Sequence, residues 1–255
     1  MNPYIQNLNR IEFLVTLSCT GRCIHCSEGD HTGCHVSIDA DAAASLVTKV
    51  AAHYPITSLM TFGGEPMLHP ETVYAIHRAA RDAGIPKRQI ITNGFFSRDE
   101  RVIRTAAEKL VDSGVNDILL SADAFHQETI PPEPVKTFAK ALLEAGGAVR
   151  MNPAWLVSRD ADNPYNRKTR EILAEFTDIG VGMNEGNVIF PSGNALKYLA
   201  EYFDTAHPPV NPYEESPDDI RTVSVDPDGC VLDGNIYETD ILELIERYAP
   251  PAANP

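Results

Sequence analysis

The chain has 255 residues, a length that suits one α/β domain around a single core. Its hydrophobic fraction of 43% is ordinary for a globular protein. No apolar run is long enough for a membrane span, and Met1-Asn2-Pro3-Tyr4 opens no signal peptide, so a cytoplasmic location is expected. With 21 basic against 36 acidic residues the net charge is −15, which argues against a general nucleic-acid binder, because phosphate neutralisation supplies much of such affinity.

In chain order, residues 9–18 hold a short apolar and β-branched run from Ile11 to Leu17, a buried-strand pattern. Cys19, Cys23 and Cys26 follow at C-x3-C-x2-C spacing, and residues 27–36 form a polar loop. A helix is predicted over 38–53, capped by Asp39, with Ala43, Leu46, Val47 and Val50 on its buried face. A strand over 57–62 ends in Gly63-Gly64-Glu65-Pro66, and a helix over 70–83 stops at Gly84. Next come a strand at 89–92 leading into Asn93-Gly94, a helix at 99–112, and a strand at 117–121 leading into Ala122-Asp123-Ala124-Phe125-His126. A helix at 134–145 precedes a strand at 149–157 that Asn152-Pro153 interrupts; a helix at 166–176 and a sixth strand within 181–190 complete the series.

Six strands alternating with helices predict parallel βαβ units. The chemically versatile residues fall just after strands, which in parallel α/β folds places them together at the C-terminal rim. Residues 1–204 are expected to form this barrel-like unit. Residues 205–220, with Pro208, Pro209, Pro212 and Pro217, read as a linker. In 221–249, segments 221–225 and 230–232 flank the turn Asp226-Pro227-Asp228-Gly229 as a hairpin, followed by a helix with Ile241, Leu244 and Ile245 inward; 250–255 is a loose tail.

Three thiolates within eight residues converge readily on one metal centre. A [4Fe–4S] cluster held by protein alone takes four thiolates, so three leave one iron open. A zinc site lacking its fourth ligand, or reduced thiols in a loop, remain alternatives. Gly63 and Gly64 allow close approach to a ligand and Glu65 offers a partner for an ammonium, against the plainer reading of a tight turn with a solvated glutamate. Asp123 suits either a ligand contact or a cap, and His126 either a structural donor or a substrate contact.

Taken in order, the cysteines, Gly-Gly-Glu-Pro, Thr92-Asn93-Gly94 and Ser121-x-Asp123 resemble the motifs of radical S-adenosylmethionine (radical SAM) enzymes over about residues 9–126. The resemblance implies an α/β partial (β/α)6 TIM-like barrel with a small C-terminal hairpin-plus-helix extension. It implies a [4Fe–4S] cluster on Cys19, Cys23 and Cys26, with SAM on the open iron. Gly63, Gly64, Glu65, Asn93, Ser121, Asp123 and Asn152 are the expected cofactor contacts, while Asn184, Glu185 and His126 are candidates for the substrate side. His25 stands where the family usually carries an aromatic residue. The C-terminal segment is similar to SPASM or twitch extensions but keeps only Cys230, too few thiols for an auxiliary cluster; Cys34 and Cys230 are expected to be free.

The implied activity is an oxidoreductase-type reaction. SAM is reductively cleaved to a 5′-deoxyadenosyl radical, with electrons from an external donor such as flavodoxin or ferredoxin. Hydrogen abstraction follows from a peptide or protein side chain. A small-molecule substrate in natural-product or cofactor synthesis is the alternative, and a glycyl-radical activase is a more distant one. A non-catalytic iron–sulfur or zinc protein would account for the cysteines but not the Gly-Gly-Glu turn. No nucleic acid or membrane partner is expected.

Overall fold

The computed structural model describes residues 2–31, 33–204, 206–207 and 209–251. The first strand, β1 (Arg10–Leu14), buries Ile11 and Phe13 on one face and turns Arg10 and Glu12 to the other, the period-two alternation of a strand. α1 (Ala40–His53) is capped by Asp39, whose side chain accepts from the Ala42 amide at 2.8 Å, and it buries Ala43, Leu46, Val47 and Val50 as their spacing predicts. The βα pattern continues through β2 (Ser58–Phe62), α2 (Pro70–Asp82), β3 (Lys87–Thr92), α3 (Glu100–Asp112), β4 (Asp117–Leu120) and α4 (Pro132–Glu144). α2 and α4 each start with a proline in the first turn, where its missing N–H removes no helical bond.

The fifth and sixth predicted strands are each broken in two. β5 (Val149–Met151) and β6 (Ala154–Trp155) flank Asn152-Pro153, and β7 (Gly182–Met183) and β8 (Asn187–Val188) follow α5 (Pro164–Thr177). Proline cannot donate to a ladder, so the pairing shifts there. β5 pairs with β7, β6 pairs with β8, and Asn184 Nδ2 donates to Asn152 Oδ1 at 2.8 Å across the two breaks.

The short α6 (Gly193–Tyr198) precedes the proline-containing segment, which crosses to β9 (Thr222–Val225) without helix or strand among its described residues. Thr205 and Pro208 of that segment, and 252–255 of the expected tail, lie outside the described residues. The expected hairpin is corrected. The turn at 226–229 is present, with Gly229 N donating to Asp226 O at 2.9 Å, but residues 222–225 pair in parallel with β1, Arg10 opposite Thr222 and Glu12 opposite Ser224. The reason is burial, because the free edge of β1 lets Val223 and Val225 become fully inaccessible. The antiparallel ladder forms instead between β10 (Cys230–Val231) and β11 (Gly234–Asn235).

The main sheet is therefore seven-stranded and parallel throughout, in the order β7-β5-β4-β3-β2-β1-β9, the partial TIM-like barrel. Its helix-side core runs continuously from Ile5 through the β1 to β5 strands to Val223, Val225, Ile241, Leu244 and Ile245, so the C-terminal residues share it. α7 (Ile241–Arg247) contacts α1 and is tied to the start of the chain: Asn2 Nδ2 donates to the carbonyls of Ile245 at 2.8 Å and Tyr248 at 2.7 Å. Among the described residues no helix is long and apolar enough to cross a membrane.

Candidate active site

Beyond β1 the chain turns at Thr16, whose hydroxyl donates to Val36 O at 2.8 Å and accepts from Ser18 N at 3.0 Å, and then enters the cysteine loop. Turns at Cys23-Cys26 and Cys26-Gly29 fold it back on itself, with Cys26 N donating to Cys23 O at 3.2 Å and Gly29 N to Cys26 O at 3.3 Å. All three thiols are free; Cys23 is buried, and Cys19 and Cys26 are half-buried. Burial pushes Cys19 up to about 11, assisted by Glu65 and Cys26 and opposed by the Gly21 amide and Asn93. Burial likewise raises Cys23, with Asp123 and the other two cysteines adding to it, and raises Cys26. The thiols thus lie within electrostatic reach of one another. Left to themselves they stay protonated. A cationic metal centre reverses that balance, so the donor set fits a thiolate-bound cluster.

The Gly63-Gly64 turn is stitched to this loop. Gly64 N donates to Thr16 O at 2.7 Å and Glu65 N to Ser18 O at 2.8 Å. A Cβ on Gly64 would stand 2.3 Å from Ser18 O, and one on Gly63, at φ +133°, 2.5 Å from Thr16 O. The glycines are there because two loops touch backbone to backbone. Glu65 is fully buried, and its oxygens accept from Met67 N at 2.9 Å, Thr92 Oγ1 at 2.7 Å and Asn93 N at 2.8 Å. Burial pushes its carboxyl up despite these bonds. Its carboxylate clamps the end of β3 to the Gly-Gly turn and does not line the cavity. Asn93 does line it: Nδ2 lies 3.5 Å from Cys19 Sγ and donates to Thr20 Oγ1 at 3.2 Å.

Ser121 and Asn152 line the same cavity, while Asp123 is fully buried behind it. The Asp123 carboxylate accepts from the amides of Phe125 (3.0 Å), His126 (3.0 Å) and Ala154 (2.9 Å), the capping alternative. Burial raises its pKa, but His126, at 2.9 Å from Nδ1 to Oδ1, together with His25 and the amide donors, brings the net value well below the ordinary carboxylate range. His25 packs against Phe125 and His126, with ring centroids 4.9 and 4.8 Å away; burial and then His126 push it down to about 4, so it sits as a neutral aromatic-like ring. His126 and Asn184 reach the cavity wall. Glu185 is exposed away from it and contributes its carbonyl, which accepts from Trp155 Nε1 at 2.7 Å.

Several residues of the site carry no motif. Asn194 holds the cysteine loop from the far side of the barrel: its amide donates to Cys26 O at 2.9 Å and its Nδ2 to Cys23 O at 3.1 Å. Ser192 Oγ donates to Ser27 O at 3.1 Å. The Gly193-Asn194 pair after β8 was the local signal for this seam. The cavity measures about 1070 Å³ and extends from the cysteines down the inner face of β1 to Arg10 and Glu12, with Asn211 and Tyr213 of the crossing segment on its wall.

A parallel α/β partial barrel with thiols gathered at the C-terminal rim of its strands is the scaffold of a metal-dependent barrel enzyme. The chain belongs to the radical SAM superfamily, whose family model matches residues 13–149. It is an enzyme of radical SAM type, and its cofactors are a [4Fe–4S] cluster and SAM. Over 135 residues it is 23% identical to the probable GTP 3′,8-cyclase of Methanocaldococcus jannaschii, covering 53% of this chain and 41% of that one. Over 123 residues it is 25% identical to the GTP 3′,8-cyclase of Chlorobaculum tepidum, covering 48% and 35%. These matches span less than half the length of either relative. Among solved structures, Streptococcus suis SuiB bound to S-adenosylmethionine superposes with a TM-score of 0.62 at 14% identity, over 96% of this chain and 67% of that one. The anSMEcpe enzyme with bound AdoMet and Cp18Cys peptide gives 0.59 at 16% identity, over 94% and 80%. BtrN with AdoMet and 2-DOIA gives 0.52 at 15%, over 93% and 81%. At these identities the likeness is one of fold.

Proposed function

We propose that this radical SAM enzyme abstracts hydrogen from a peptide or protein side chain that enters the cavity beside SAM, with Cys19, Cys23 and Cys26 as the cluster ligands. The cluster and SAM, when bound, supply one electron and the 5′-deoxyadenosyl radical; an external donor of the flavodoxin or ferredoxin type delivers the electron. This chain's residues do the rest. The Gly63-Gly64 turn and Asn93 present backbone and amide groups at the rim. The His25 ring, within the cysteine loop, packs against the buried Phe125, and Asn194 holds that loop in place.

The observation that carries the reading is the cavity. At about 1070 Å³ it stands at the top of the usual range for a ligand site, roughly 300–1,000 Å³, and its wall continues from the cysteines to Arg10 and Glu12, away from the end where SAM would sit. The superpositions on peptide-bound enzymes, which cover nearly the whole chain, agree with a peptide there. The sequence matches to GTP 3′,8-cyclases favour a small-molecule substrate as the second reading. Against a nucleoside triphosphate, the lysine and arginine side chains on the cavity wall among the described residues are Arg10 and Arg22, alongside the acidic Glu12, Glu28 and Asp30. Such a wall has little charge to offer three phosphates.

The test is label transfer. Anaerobically reconstituted protein is supplied with SAM, reductant and either deuterated peptides or deuterated GTP, and 5′-deoxyadenosine is analysed for deuterium. Deuterium from peptide alone is expected; deuterium from GTP alone overturns the peptide reading. The Cys19→Ala, Cys23→Ala, Cys26→Ala triple variant should hold no cluster iron, and full iron occupancy there would remove the ligand assignment.

A further inference from the structure

β1 is hydrogen-bonded on both sides, to β2 and to β9. A parallel strand so placed usually reads as a near-continuous apolar run. Here Arg10 and Glu12 occupy its inner face, opposite Ile11 and Phe13 on the helix side. Removing such groups from bulk water is costly unless partners replace the lost hydration. A second charged set on the same sheet has them. Asp117 accepts from Arg150 Nη2 at 2.7 Å and from Gln89 Nε2 at 2.7 Å, which closes the network internally.

Arg10 is different. Its Nε donates to Glu12, and Nη2 reaches the Met60 sulfur at 3.4 Å, a weak acceptor. Among the described residues the guanidinium has no further partner, and it forms part of the cavity wall. An arginine held through Nε, with only a weak sulfur acceptor at Nη2, keeps a terminal edge without an oxygen partner, and that edge matches two oxygens of one carboxylate. Tyr213 lines the same cavity; burial and then Glu12 push its phenol up while Arg10 pulls it back. Along β1, Arg10 lies about 13 Å below the strand end from which the cysteine loop departs, at roughly 3.3 Å per residue.

We propose that Arg10 recognises a carboxylate on the substrate, gripped in two-point fashion at the cavity floor while Glu12 orients the guanidinium. The carboxylate belongs to a peptide C-terminus, an acidic side chain or a small organic acid. The inference rests on the cavity being the substrate site, as proposed above.

Titration calorimetry of the full, reconstituted, SAM-loaded chain tests it with four probes: an N-acetylated tripeptide acid, its C-terminal amide, an N-acetylated glutamyl peptide amide, and glutarate. At least one acid should bind about tenfold or more tighter than the neutral amide, the range expected for a hydrogen-bonded charge. The acid that binds identifies the source: terminus, side chain or small acid. Arg10→Lys should keep only part of the preference, since an ammonium lacks the planar fork. The Arg10→Met, Glu12→Gln double variant, which leaves no unpaired charge, should lose the preference while still melting cooperatively. Equal binding of acid and amide, no binding of any acid at millimolar concentration, or a preference that survives in the double variant would each overturn the proposal. Label transfer from a peptide with no acid preference would remove this proposal and leave the peptide reading standing.

Discussion

Glu65 offers the sharpest quantitative test, because every acceptor position it uses is occupied from within. Glu65→Gln keeps the shape and replaces one oxygen by a donor NH2. With the nitrogen at the Oε1 position it would confront Met67 N–H and the Thr92 hydroxyl; at Oε2 it would confront Asn93 N–H. The second arrangement strands fewer groups, leaving one buried amide without an acceptor. That costs about 1–3 kcal/mol. For a chain of this size each kcal/mol lowers the melting temperature by about 2–4 °C, so a fall of about 2–12 °C is expected in the cluster-free protein, followed by circular dichroism. SAM affinity should fall as well, because the clamp fixes Asn93 and the Gly-Gly turn. If SAM binding is lost while the melting temperature stays unchanged, the clamp account fails and Glu65 faces the ligand directly.

His77 is fully buried, with Nε2 2.9 Å from Thr61 Oγ1, and burial followed by Arg88 pushes it down to about 3. Its folded value lies below the ordinary 6.5, so the unfolded chain binds the extra proton first, and stability falls as pH drops from about 6.5 towards 3. His77→Gln should flatten the dependence of melting temperature on pH between 7 and 4.5; parallel slopes in the two proteins would contradict this. Gly193→Ala places a Cβ 2.3 Å from Ser27 O and 2.6 Å from Cys26 O, so the cysteine loop must shift. Less iron per chain after reconstitution, or an altered paramagnetic spectrum of the reduced cluster, is expected, and an unchanged spectrum with full iron would show that the seam is slack. Ending the chain before Arg221 removes β9 and α7 with Val223, Val225, Ile241, Leu244 and Ile245, together worth roughly 8–15 kcal/mol of burial. That matches the whole net stability of a typical domain; loss of cooperative unfolding is expected, and a soluble truncation with the parent melting temperature would refute it.

What could be read from the sequence was local. Asp39 and the Ala43, Leu46, Val47, Val50 spacing defined α1 because caps and amphipathic periods depend on neighbours a few residues away. The succession of motifs after strands placed the cysteines, Gly-Gly, Asn93 and Ser121 on one rim, since parallel connectivity leaves no other arrangement. What failed to show was long-range pairing. Nothing in Thr222 to Val225 says that its partner is β1 rather than the nearby strand across the turn. Nothing in Gly-Gly-Glu reveals that Thr92 and Asn93 will donate to Glu65 and draw it out of the cavity. Asn194 meets carbonyls about 170 residues earlier in the chain, a contact with no periodicity to betray it. The meaning of Arg10 and Glu12 emerged only once both neighbours of β1 were known.

The placement of β9 beside β1 also bears on the order in which the molecule assembles. Thr222, the partner of Arg10, lies more than two hundred residues downstream. The ladder that completes the cysteine-bearing strand therefore closes a very long loop, and such non-local pairings form late and slowly. While the chain is being synthesised, β1 can pair with β2 and receive the helices of the early βα units, but its other edge stays open until β9 emerges. A nascent chain exposes that edge, and with it the charged inner face at Arg10 and Glu12, throughout the making of the intervening units. Cluster loading and the final seal of the barrel are thus separable in time: pulse-labelled amide exchange at Arg10, whose N–H donates to Arg221 O, and at Glu12 on the same edge would time the seal during refolding, against iron uptake followed in parallel.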